Sequence, residues 1–391
     1  MDFKKIIKYN CIGCGLCSSV LKFDFYLDKN GFNRPIIPNE FDNKKIEEIC
    51  PIFFNKDEKI YGFSQKGLEF FQGYSNDESV RYKSSSGGII SALLIYLLEN
   101  KVVDGVIQIR VSEDDFLKNS AFVSHNKEDV LKCCGSRYAP ASPLQNLNRI
   151  LNDQKKYAFV GKPCDVRALK KFLLINPKFK NKFIFCISFF CAGTPSLNAT
   201  YELIDKMGSC TSQMHSLKYR GEGWPGKATI IEKNGNHKFM NYEESWEKIL
   251  GRKKEQFCRI CPIGMGEYAD ITCGDYWDLD SNMKPTFEEK DGKNVIVART
   301  ISGKELMYKA TKSGYITFSK IDSSELKFIQ PYQYTRQATL TAQCKALKIL
   351  GKYVPDYNIE SLKYIRKRIK FKIRIRYFFG TCKRIIKKQI N

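Results

Sequence analysis

The chain is predicted to be an α+β or α/β protein, with a small cysteine-bound N-terminal unit on a larger mixed α/β unit, closed by a basic helical tail. Three observations predict it. Residues 11–17 hold a C-x2-C-x2-C run, with a lone Cys50-Pro51 pair downstream. From about residue 70 helical and strand patterns alternate, as they do in layered α/β domains. Residues 363–391 contain twelve Lys and Arg and no acidic residue. A length of 391 residues suits two or three domains, read here as 1–60, 70–355 and 356–391.

Cys11, Cys14 and Cys17 have the ligand spacing of a ferredoxin-like [4Fe–4S] cluster. Three thiolates on one tight loop bind three irons, and the fourth must come from elsewhere. Cys50 supplies it, and Pro51 keeps that segment out of a helix. Gly13 and Gly15 let the backbone curl around the cluster without Cβ clashes. A two-cluster ferredoxin places a further cysteine four positions after the third. That position is Leu21, so one local cluster is expected. The alternative, a four-thiolate zinc site, more often uses two separated C-x2-C knuckles.

The elements follow in order. Asn30-Gly31 reads as a hairpin turn between strands near 26–27 and 32–37. Ser84-Ser85-Ser86-Gly87-Gly88 precedes an apolar helix over 89–99, which the serines can cap. Residues 102–109 read as a buried strand, 144–151 as a helix, 157–160 as a strand, 165–174 as a helix with a basic face, and 183–190 as another buried strand. Cys164 and Cys191 are expected in the loops after these strands, where open α/β sheets place ligands.

Cys258-Arg-Ile-Cys261-Pro262 is a second C-x2-C, half of a metal site. A second cluster on Cys164, Cys191, Cys258 and Cys261 is expected, with Cys273 as competitor for any of the four. Cys133, Cys134, Cys186, Cys210, Cys344 and Cys382 are assigned nothing. The three histidines form no ligand spacing.

Fifteen cysteines without an apolar leader point to a reducing cytosol. The expected location is therefore the cytoplasm, with peripheral attachment to the inner membrane face as an extension. The apolar runs are too short to span a bilayer. The net charge is +23, and the tail from Lys363 carries twelve of those charges. This one-ended basicity, without a recognition motif, argues against nucleic acid. Ile365, Ile369, Ile373 and Tyr377 fall on one helical stripe of that tail. A basic amphipathic helix suits an anionic membrane surface; docking on the protein's own core and RNA contact are the alternatives.

Together the motifs resemble the beta-subunit family of coenzyme F420 hydrogenases and dehydrogenases. The matching stretches are residues 84–94, 103–106, 135–142, 159–169, 190–196 and 258–278, in order, and the likeness covers about residues 8–280. The resemblance implies a flavin-binding iron–sulfur oxidoreductase. Its flavin, usually FAD, passes electrons between clusters and a two-electron acceptor. It places Ser85, Ser86, Gly87 and Gly88 at the flavin or its pyrophosphate, where a helix N-terminus favours phosphate. Arg137, Tyr138 and Lys162 are its expected neighbours for charge and stacking. The chain departs from the family at Lys162, where threonine is more usual, at Cys273, and in the long basic tail.

The resulting expectation is an electron relay from a ferredoxin-like donor, through two [4Fe–4S] clusters, to FAD and an organic or F420-like acceptor. Lys162, Tyr138 and Asp275 are the candidates for a catalytic acid, with none assigned. The alternatives are an electron-transfer subunit that depends on a partner, or a membrane-surface protein of polysaccharide or envelope assembly.

Overall fold

The structure, a computed structural model, describes residues 3–64, 67–358, 362–367 and 369–387. Arg368 and Lys388, two of the tail's cations, lie outside the described residues. The frame is an eight-stranded mixed sheet. Its strands run, edge to edge, Ile316–Ile321, Phe70–Ser75, Asn294–Ala298, Ile271–Asp275, Phe183–Phe189, Tyr157–Gly161, Gly105–Val111 and Asn119–Ser124. The four from Ile271–Asp275 to Gly105–Val111 are parallel, and antiparallel strands flank them on both sides. These central strands are covered on both faces, which explains their nearly continuous apolar sequences.

Period-two alternation splits the core in two. Val106, Ala158, Phe185, Ile187, Ile271 and Ile296 pack beneath the helices Ile89–Glu99 and Ile301–Lys312. Ile107, Phe159 and Cys186 face the opposite side, beneath the helix Pro163–Ile175. The N-terminal helices Phe3–Asn10, Leu16–Leu21 and Asn43–Ile49 add Ile7, Leu16 and Ile46 to that second core. Their hairpin pairs Phe25–Leu27 with Asn33–Pro35 around the expected turn. A three-stranded antiparallel sheet, Met214–Lys218, Ala228–Glu232 and His237–Met240, packs with the helix Leu197–Lys206.

Several expected elements shift. The helix expected over 165–174 spans Pro163–Ile175, because Pro163 takes its first position, where no amide hydrogen is needed. Cys164 therefore sits in a helical first turn, not in a loop. The strand expected at 102–109 is Gly105–Val111. The helix expected over 144–151 begins only at Leu147; the residues before it form turns, with the Leu144 N–H donated to the Cys14 carbonyl at 3.0 Å. The serines before Ile89–Glu99 do not cap it. Gly88 does, at φ 76° with no side-chain cap, and Asn294 Oδ1 accepts the Ile89 N–H at 3.2 Å.

The tail is not one helix. It divides into Lys363–Lys367 and Phe371–Ile386, and the second piece packs along the helix Pro331–Ile349. Ile365 is buried and Ile369 packs beside it, so the Ile365–Tyr377 stripe turns towards the protein's own core. No helix among the described residues is long and apolar enough to cross a membrane.

Candidate functional site

The loop of residues 11–17 closes tightly because Gly13 and Gly15 take φ of 69° and 82°. A Cβ on Gly15 would stand 2.8 Å from the Gln145 backbone nitrogen. Cys11, Cys14, Cys17 and Cys50 line one largely enclosed apolar cavity with Ile7 and Phe23. Cys50 caps Asn43–Ile49, its N–H bonded to Ile46 O at 2.8 Å. The helix Pro163–Ile175 holds the following loop. Arg167 donates to Pro51 O at 2.7 Å and Phe53 O at 3.0 Å, and Lys171 donates to Cys50 O at 3.0 Å. Arg167 is 1% exposed, lies 3.7 Å over the Phe54 ring and pairs with Glu58.

Burial pushes the Cys11 thiol up to about 12, and the neighbouring Cys50 adds to the rise. Burial also raises Cys14, Cys17 and Cys50. Backbone amides point at these sulfurs, with Gly13 N 3.3 Å from Cys11 Sγ. Thiols so buried ionise only against a compensating cation, which bound iron supplies. The donor set, its apolar wall and its N–H···S contacts therefore fit an iron–sulfur cluster.

Cys164, Cys191, Cys258 and Cys261 also come together. The Cys164 thiol feels Cys191 and Cys261, and so does Cys258. Burial raises Cys258 to about 12 and Cys261 to about 11. Gly193 N lies 3.4 Å from Cys191 Sγ, and Thr194 N lies 3.4 Å from Cys258 Sγ. Above them, the helix Pro331–Ile349 sends Gln333 and Arg336 to the Cys191 carbonyl at 3.1 and 3.0 Å. The Arg336 guanidinium is buried beside Cys261, Cys191 and Cys258. Cys273 is not with them. It sits on Ile271–Asp275 in the opposite core, and burial alone raises its thiol. Strand alternation sends its neighbour Thr272 towards the C-x2-C side, bonded to Gly266 O, and Cys273 away. Among the described residues no three His, Cys, Asp or Glu side chains are placed to hold a single metal ion.

The two thiol sets adjoin. The Asp165 carboxylate acts on both Cys14 and Cys164, and Glu255 acts on both Cys11 and Cys258. Glu255 is paired to Arg34 at 2.5 Å, and Arg34 also donates to Cys11 O at 2.7 Å.

At the carboxyl ends of the parallel strands, Ser85 accepts from Ser136 at 2.8 Å and Ser86 donates to Lys293 O at 2.8 Å. Gly87 and Gly88 pass close to Gly73, Ser75 and Asn294. Arg137 spends its nitrogens on Asn119 Oδ1, Leu217 O and Phe116 O, so it ties the strands Asn119–Ser124 and Met214–Lys218 together. Tyr138 packs on Trp246, with ring centroids 4.6 Å apart. Lys162 is bound to Asp165 at 2.8 Å beside Cys164 and Cys191, which ties it to the second thiol set. Asp275 is paired with Arg220 at 2.8 Å.

The sequence reading missed Arg220. Its guanidinium is 4% exposed, faces the rings of Trp224, Tyr242 and Trp277 at 4.6–5.3 Å, and leaves Nη2 without a hydrogen-bond partner. The signal was the run Arg220-Gly-Glu-Gly-Trp-Pro-Gly226, whose three glycines all have positive φ. Arg34, Arg167, Arg336 and Glu255 were also missed, because their partners lie far away in sequence.

Residues 70–148 match the N-terminal part, and residues 154–324 the carboxyl-terminal part, of the family described as coenzyme F420 hydrogenase/dehydrogenase, beta subunit. The F420-dependent formate dehydrogenase subunit beta of Methanocaldococcus jannaschii is 30% identical over 257 residues, covering 66% of this chain and 62% of that protein. This chain thus spans less than two thirds of that relative. The coenzyme F420-dependent sulfite reductase of the same organism is 26% identical over 319 residues, 76% of this chain and 45% of its own. The fold is shared with a chain in the xenon-derivatised F420-reducing [NiFe] hydrogenase complex of Methanosarcina barkeri. That likeness has a TM-score of 0.55 at 20% identity and covers 78% of this chain and 99% of that one. With both halves of the family matched in order across the central sheet, the chain belongs to the coenzyme F420 hydrogenase/dehydrogenase beta-subunit family.

Proposed function

We propose that this chain is an electron-transferring oxidoreductase with two iron–sulfur sites, one on Cys11, Cys14, Cys17 and Cys50 and one on Cys164, Cys191, Cys258 and Cys261. The observation that carries this reading is the convergence of eight cysteines from distant segments into two adjoining sets beside one helix. Bound clusters supply one-electron transfer, and a bound flavin couples it to a two-electron acceptor. The protein's own part is positional. Arg167 and Lys171 hold the Cys50 loop, Gly193 and Thr194 aim amides at the second set, and Arg336 places a buried cation beside it. Such groups favour added negative charge at the sulfurs.

For FAD, the proposed site is the carboxyl edge of the parallel strands, with Ser85, Ser86, Gly87 and Gly88 at its phosphates. Arg137 and Tyr138 shape the wall from behind, and Lys162 stands on the side of the second thiol set. A ferredoxin-like protein or a partner subunit serves as electron donor in this reading. Relatives named as subunits favour the partner.

The test is anaerobic purification with iron, sulfide and flavin measured on one sample. About eight irons and one flavin per chain support the full relay. About four irons remove the second site, and iron without flavin leaves electron transfer without hydride chemistry.

A further inference from the structure

The helix Phe371–Ile386 has two faces that the sequence stripe did not foretell. Its inner face carries Thr381, which is 2% exposed, and Ile385, which joins the core of Leu340, Cys344 and Leu347. Its outer face leaves Phe371, Phe379 and Ile386 exposed at 65, 64 and 72%, with Ile375 at 40%. At 100° per residue these four fall within roughly 80° of arc. Lys372, Arg376, Lys383 and Lys387, all exposed, occupy the next roughly 60°. An apolar band therefore lies alongside a band of cations, on a helix already held flat against Pro331–Ile349.

We propose that this outer face docks on an anionic lipid surface, with Phe371, Ile375, Phe379 and Ile386 entering the headgroup boundary and the four cations meeting lipid phosphates. The charge is complementary, since residues 363–391 contain no carboxylate side chain to oppose it. The area argues against a protein partner. A helix of 16 residues is about 24 Å long and, at about 10 Å wide, offers about 240 Å², against about 800 Å² per partner in a stable protein interface. A bilayer needs no shaped complement. This inference stands apart from the redox reading, because no cysteine ligand lies on this helix.

The test uses the full chain and vesicles of pure phosphatidylcholine against vesicles of equal parts phosphatidylcholine and phosphatidylglycerol. The expected result is co-sedimentation with the anionic vesicles alone, weakened by salt. Phe371→Ser with Phe379→Ser should lower it by about tenfold or more. Both positions are exposed, so folding is spared, and iron content reports separately on the core. Ile301→Ser, at an 81% exposed apolar position on another helix, should leave binding unchanged. Equal binding to both vesicle types, or undiminished binding by the double variant, overturns the proposal. So does a dimer that the double variant abolishes while vesicles bind neither protein, which would assign the face to a second copy.

Discussion

Arg167 donates a 2.7 Å hydrogen bond to the carbonyl oxygen of Pro51, so the helix that presents Cys164 also holds the loop that presents Cys50. Two thiol sets that the chain brings together from residues 11 to 261 thus share one rigid reference. The planar guanidinium serves two carbonyls and Glu58 at once, a geometry that an ammonium cannot copy.

Arg167→Met should therefore remove the bonds to Pro51 O and Phe53 O, leave the Cys50 loop to Lys171, and deprive Glu58, beside Tyr268, of its paired guanidinium. Breaking a buried pair costs about 3 kcal/mol or more, taken here at the low end because Glu58 is 23% exposed. Chemical denaturation reads the stability. Iron analysis should show about four irons lost, with the second set retained; full iron retention would contradict the bracing role.

Serine substitutions separate the competing thiols. Cys261→Ser should lower iron by about four per chain, while Cys273→Ser should leave it unchanged. The reason is directional, since Cys273 faces the core beneath Ile89–Glu99, across the sheet from Cys164 and Cys261. Iron lost from the Cys273 variant and kept in the Cys261 variant would reverse the assignment.

Gly193 has φ of 120°, and an added Cβ would stand 3.0 Å from Cys258 Cβ and 2.7 Å from Lys254 Cδ. Gly193→Ala should cost about 1–3 kcal/mol in strain and rotate the amide away from Cys191 Sγ. Spectroscopic titration of the reduced protein should show the second site altered and the first unchanged. An identical spectrum would remove the amide from the account.

Glu69 tests the surface electrostatics independently of any metal. It lies between Lys304 and Lys320, whose ammonium groups donate to its two oxygens. These hydrogen bonds hold its carboxyl down at about 2, from an ordinary 4.5. A carboxylate depressed in the folded state binds protons less readily there than in the unfolded chain. Its contribution is therefore full above about 4.5 and is lost as pH falls towards about 2. Glu69→Gln should lower the thermal midpoint slightly at neutral pH, because exposed pairs are weak. That difference should shrink through the same window; a pH-independent gap would show that the carboxylate's charge is not the cause.

The cysteine run of residues 11–17 was legible because three ligands on one short loop are a local pattern. Three of the parallel strands, Gly105–Val111, Tyr157–Gly161 and Phe183–Phe189, were legible because buried parallel strands write continuous apolar stretches, whereas Ile271–Asp275 and the four antiparallel strands were not. The flavin edge was less so. Lys162 read as a neighbour of the Ser85–Gly88 loop, yet it lies 2.8 Å from Asp165 three residues on, since the first turn of a helix brings those positions together. Arg220 escaped notice because a lone arginine in sequence looks solvated until three aromatic rings from separate segments close around it.

The positions of the thiols, the turns that the backbone can make at Gly13, Gly15 and Gly193, and the basicity of the last segment are all readable from the order of residues. These are properties of single residues or short spacings. That Cys273 faces away from the second set emerges from the folded sheet alone, because the side of a strand follows from its register there. Tertiary packing also broke the tail before Phe371 and turned Ile365 and Thr381 inwards, leaving Phe371 and Phe379 outside. A helical stripe states which residues share a face, but burial depends on what that face meets, and that partner here is a helix that begins 40 residues earlier in the chain, at Pro331.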